Sequence, residues 1–164
     1  EEALTLAEQI GRSDLAGPAA ASLGDLAVQA GDPALARQRY ESSRTYYGAT
    51  GDAEGEIAAT LSLAGLAARS GDFDAAQAHY QAVVDQAEQH DTAAWAAPAA
   101  ARALHGLGSL ANRQGDYATA LDYAQRSHVL SLDSTYDLLP WLSVGGKVAM
   151  RTGALRDTRV GGDW

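Results

Sequence analysis

The chain has 164 residues, with 21 acidic and 12 basic side chains for a formal charge of -9, 46% hydrophobic residues and no cysteine. That length suits one domain, or part of a longer array, with a core of its own, and the lack of cysteine excludes disulfide scaffolds, thiolate metal sites and cysteine nucleophiles. The acidic balance argues against nucleic-acid binding through this segment, because phosphate affinity needs a basic surface, and no apolar run nears the ~20 residues of a membrane helix.

Glu1 and Glu2 stand where a secretory signal would carry positive charge, so the expectation is a soluble, cytoplasmic chain or an excised soluble segment. Alanine is in large excess, at 36 residues, and favours helix. Beta-branched and aromatic residues are too sparse and irregular for the period-two runs of strands. The predicted fold class is therefore all-α.

Taken in chain order, the elements repeat. Ala3 to Ile10 reads as the second helix of a hairpin whose first helix is missing, a half-repeat over 1–16. A first full copy, over about 17–56, carries Leu23-Gly24-Asp25-Leu26-Ala27 before Gly31-Asp32. The next, about 57–100, carries Leu63-Ala64-Gly65-Leu66-Ala67 before Gly71-Asp72, and the third, about 101–138, Leu107-Gly108-Ser109-Leu110-Ala111 before Gly115-Asp116. A degenerate copy with Gly145-Gly146-Lys147-Val148-Ala149 before Gly153 spans about 139–155, and a tail over 156–164 ends the chain. Each copy reads as two antiparallel helices. The glycine closes the first helix through positive φ, and the aspartate caps the second. Pro33 suits a first helical turn, while Pro98 and Pro140 mark turns or kinks on the approach to first helices. Ala36, Ala76 and Ala120 should face Gly24, Ala64 and Gly108, letting the helices of a hairpin approach closely. Leu23, Leu26 and Ala27 should point into the hairpin.

These residues resemble the tetratricopeptide repeat family: a leucine, a small residue, Gly-Asp-aromatic, an alanine three further on, then tyrosine, supplied by Tyr40 and Tyr80. Ala124 departs from that last position, with Tyr123 adjacent. The spacing is similar to the family's longer variants of about forty residues, with Thr50-Gly51-Asp52 and His90-Asp91 as turns between hairpins. The resemblance implies a right-handed superhelical solenoid of helical hairpins whose first helices line a concave groove. It further implies a protein-protein or peptide interaction module, similar to the helical arrays of bacterial ATPase-type transcriptional regulators or to sensors of signalling peptides. Arrays of this family that hold chaperone C-termini carry lysine and asparagine where Ala21 and Asp25 stand here, which argues against that function.

Enzyme motifs are missing. Gly106-Leu107-Gly108 lacks the third glycine of a dinucleotide fingerprint, and Gly145-Gly146-Lys147-Val148 lacks the rest of a phosphate loop. His79, His90, His105 and His128 never fall three or four residues apart, so no two share a helical face as metal ligands. No catalytic residue, metal or cofactor is expected, and the chain is read as a non-enzyme. Helical period instead turns Val28, Gln29, Arg69, Arg102, His105, Ser109, Asn112, Arg113, Lys147 and Arg151 towards the groove. The strip is acidic near Asp25 and increasingly basic later. It suits a peptide with acidic groups, with Arg102, Arg113 and Arg151 as anchors able to make bidentate contacts. A rival reading is homo-oligomerisation through the solenoid ends, motivated by Trp141 and the half-repeat. Trp95 reads as core or as a groove anchor.

Overall fold

A computed structural model describes the backbone of residues 1–136 and the side chains of residues 1–130. The described residues form helices and turns without a strand: α1 (Glu2–Gln9), α2 (Ser13–Gln29), α3 (Pro33–Thr50), α4 (Ala53–Ser70), α5 (Phe73–Gln89), α6 (Ala96–Gln114) and α7 (Tyr117–Tyr136). No helix among them is long and apolar enough to cross a membrane. Pro140, Trp141, Gly145-Gly146, Lys147, Arg151, the degenerate copy and the tail lie outside the described residues.

The helix ends follow from the residues that were expected to make them. Gly31, Gly51, Gly71 and Gly115 all have positive φ, between 71° and 81°, where a side chain would be strained. The aspartate after each caps the next helix: Asp32 accepts from the Leu35 amide at 2.9 Å, Asp52 from Gly55 at 2.9 Å, Asp72 from Ala75 at 3.2 Å and Asp116 from Thr119 at 3.1 Å. Each bond satisfies one of the amides a helix start leaves without an intrahelical acceptor. Pro33 opens α3, and Pro98 falls in the first turn of α6. The copy boundaries at 17, 57 and 101 fall inside α2, α4 and α6, because those helices begin earlier than the leucine pattern does. Pro18 is consequently a residue of the α2 interior.

Neighbouring helices pack in chain order. In addition α2 touches α4 and α4 touches α6, whereas the backbones of α3, α5 and α7 stay apart from one another. The first helices of successive hairpins therefore share one face. Small residues permit the close packing: Ala36 and Ala76 are fully buried, and a Cβ on Gly108 would lie 3.3 Å from the Ala120 carbonyl oxygen. The Tyr47 ring wedges between Gly17 of α2 and Gly55 of α4, where any side chain would collide with it.

Successive hairpins are joined by a repeated leucine contact. Leu66 of α4 is buried in one cluster with Ala27, Val28, Leu35 and Ala36, and Leu110 of α6 in another with Ala67, Ala68, Ala75 and Ala76. The second set lies forty residues after the first, so one packing solution is used twice. Both leucines are 4% exposed, and each such burial contributes roughly 2 kcal/mol.

Leu26 corrects the expectation that it points into its own hairpin: it is 57% exposed. Its position faces the preceding hairpin, as Leu66 and Leu110 show, and α1 does not reach it. Leu23 is half-buried beside Ala16 and Ala20, and Ala27 is buried, both as expected.

Candidate cleft on the first-helix face

Where α2, α4 and α6 share a face, a cleft of about 490 Å³ opens. Its walls are Asp25, Val28 and Gln29 of α2, Leu61, Ser62, Gly65 and Arg69 of α4, and Arg102 of α6, with Tyr40 and Tyr80 rising from the second helices α3 and α5. Helical period accounts for the first helices' share: Asp25, Val28 and Gln29 follow one another around a single face, as do Leu61, Ser62, Gly65 and Arg69.

The two tyrosines hold the same place in their repeats but reach the cleft differently. Tyr40 crosses its own hairpin over Gly24, whose missing side chain leaves the room; a Cβ there would be 2.5 Å from the ring. Its hydroxyl donates to Asp25 Oδ1 at 2.6 Å. In the next repeat Ala64 replaces Gly24 and Gly65 replaces Asp25, so both the space and the acceptor are gone. Tyr80 instead lies against Gly106 of the following hairpin, where a Cβ would come within 2.4 Å of its ring. The Tyr80 hydroxyl makes no hydrogen bond within the protein among the described residues, and it is not sealed from solvent.

Burial first, and then the Asp25 carboxylate, push the Tyr40 hydroxyl up to about 12, so it is a protonated donor at any ordinary pH. Burial also raises Tyr80, while the positive fields of Arg69 and Arg102 pull it the other way, as both guanidinium groups lie near it. Neither arginine makes an ion pair among the described residues, where the two ion pairs are Arg12 with Asp14 and Arg39 with Glu1. The cleft thus has an acidic wall at Asp25 of α2 and a basic one at Arg102 of α6, with Arg69 of α4 between them, its field reaching both tyrosine hydroxyls. Cations that lack internal partners are the groups best placed to take an anion.

Of the residues expected in the groove, Arg69 and Arg102 line this cleft, together with Val28 and Gln29. His105, Ser109 and Asn112 are exposed on α6 and continue the stripe that Arg102 begins, outside the cleft. Arg113 is exposed as well, but its Nη1 donates to the Ala68 carbonyl at 3.3 Å, in the last turn of α4. That bond ties α6 to α4, since a helix C-terminus offers carbonyls with no intrahelical donor. Lys147 and Arg151 are outside the described residues. Trp95 is half-buried at the turn into α6, its ring 5.4 Å from that of His90 and packed on the core beside Leu130, away from the cleft.

Sequence reasoning passed over Tyr40 and Tyr80 as ligand-facing groups because they entered only as positions of the repeat pattern. The signal that finds them is the pairing of a repeat tyrosine with a glycine on the opposing first helix, Gly24 or Gly106, which lets the hydroxyl end through to the inner face. Among the described residues no group of three histidine or acidic side chains is placed to hold a metal ion. The chain matches no protein-family model and no curated protein.

Proposed function

We propose that this chain is a non-catalytic interaction module of the tetratricopeptide type, a right-handed solenoid that binds a peptide or protein segment carrying acidic groups on its first-helix face. The observation that carries this reading is the pair Arg69 and Arg102, left without ion-pair partners beside an open cleft in a chain of net charge -9. Guanidinium groups suit carboxylates because their donors match the two oxygens in a plane. The resemblance of the repeats to regulatory arrays supports a setting in a larger cytoplasmic bacterial regulator, with the cleft sensing a peptide or a partner protein. Arg113 is a lesser contributor than the sequence alone implies, because it already serves the end of α4.

Isotope-labelled protein titrated with a Glu-rich dodecapeptide tests where binding occurs. Amide shifts should move around Asp25, Gly65, Arg69 and Arg102 while those of α5's outward residues, such as Asp85 and Glu88, stay still. Shifts confined to α5 and α7, or none at millimolar peptide, would remove the reading.

A further inference from the structure

The cleft is not uniformly basic, and the way its two tyrosines are committed divides it. At the α2 end Tyr40 is used up: its hydroxyl is locked on Asp25 Oδ1, and its ring is only 3% exposed. That bond occupies one of the roughly four acceptor sites of a carboxylate, so Asp25, which is exposed and lines the cleft, keeps its charge and further acceptor capacity. Gln29 lines the same end and is uncharged. At the α4–α6 end the reverse holds, because Gly65 takes the place of Asp25 and no carboxylate lines that part of the cleft. Tyr80 has no hydrogen-bond partner among the described residues and lies within reach of the positive fields of Arg69 and Arg102, neither of which makes an ion pair there.

We infer that the cleft selects a ligand of two opposite charges: a carboxylate taken by the Tyr80 hydroxyl with Arg69 and Arg102, and a cationic side chain held by Asp25. This rests on the groove reading above and narrows it, from any acidic peptide to a segment in which an acidic and a basic residue lie close together. A uniformly acidic peptide gains at one end and is repelled by Asp25 at the other, so the opposed ends discriminate by rejection as well as attraction. They also fix which way the segment lies, as complementary charge does at interfaces. Tyr80 is the specificity residue here. As a neutral donor it rewards an acceptor without adding charge.

Three sets of labelled dodecapeptides on one Ser/Ala backbone test this by fluorescence anisotropy: one set with Glu and Lys, one with Glu and Gln, and one with Gln and Lys, each made with the pair about three, four and five residues apart. The Glu and Lys peptide at its best spacing should bind the native chain about tenfold more tightly than the Glu and Gln peptide. Asp25→Asn should erase that advantage, and it keeps an acceptor for Tyr40, so the fold is not at risk. Tyr80→Phe keeps the ring against Gly106 and should weaken both Glu peptides about fivefold while leaving the Gln and Lys peptide unchanged. Equal binding of the two Glu peptides, or an advantage that survives Asp25→Asn, overturns the two-charge inference while the groove reading stands. Failure of every Glu peptide to bind overturns both.

Discussion

Tyr40 shows how much a single side chain does here. Its ring fills the space above Gly24, and its hydroxyl holds Asp25 in place at the mouth of the cleft. Its folded pKa, about 12, lies above the ordinary value of 10, so the native state holds the phenolic proton more tightly than the unfolded chain does. The associated stability is fully present below pH 10 and is lost as pH rises from 10 through 12, a change of about 1–2 kcal/mol once solvent screening at the cleft is allowed for. Denaturant midpoints measured from pH 8 to 12 should fall more steeply for the native chain than for Tyr40→Phe, which has no proton to lose. Tyr46, Tyr47 and Tyr80 are raised as well, so only the difference between the two proteins isolates Tyr40. Parallel curves would mean that the hydroxyl is neither buried nor held on Asp25 in solution. Gly24 and Tyr40 were each visible in the sequence as positions of the repeat, with Gly24 expected to face Ala36 and not the tyrosine ring. That Tyr40 delivers a hydroxyl to the inner face was not visible, because that depends on which way a ring passes a helix, and no spacing encodes it.

At the scale of elements, the hairpins were legible because their ends are made by local chemistry. Gly31, Gly71 and Gly115 with their following aspartates act within a few residues of themselves, so a pattern in the chain is enough. Leu26 was misplaced for the opposite reason: the residue that buries a leucine at this position belongs to another hairpin, and one copy of the repeat cannot reveal it. The three equivalents make a controlled series. Leu66→Ala and Leu110→Ala each empty a closed contact between hairpins and should cost about 2–4 kcal/mol in chemical denaturation, whereas Leu26→Ala should stay within about 0.5 kcal/mol. A comparable loss at all three positions would show that Leu26 is covered in solution. Arg113 makes the same point for polar groups. It reads as a groove cation by period, yet its reach to the Ala68 carbonyl is set by the neighbouring helix.

For the whole molecule, the repetition of one contact produces a shared face, and the face produces the cleft. Because α2 meets α4 and α4 meets α6 while the backbones of the second helices stay apart, residues from three separate copies line one site. The gradient of charge along that face was legible in the sequence, since Asp25, Arg69 and Arg102 follow from helical period alone. Which cations remain unpaired was not, because ion pairing depends on side chains brought together from distant turns. The acidic charge of the whole chain makes the basic end of the cleft a local exception, and a ligand must be drawn to it against the overall field. Binding should therefore depend strongly on the two arginines and weaken with salt.

The most direct test is the affinity of a Glu-rich dodecapeptide for the native chain and for the double variant Arg69→Glu/Arg102→Glu, measured by anisotropy at 50 and 300 mM salt. The account predicts that the native chain binds and weakens with salt, and that the reversal lowers affinity by about thirtyfold or more at low salt. Equal affinities for the two proteins, with the same salt dependence, would contradict it.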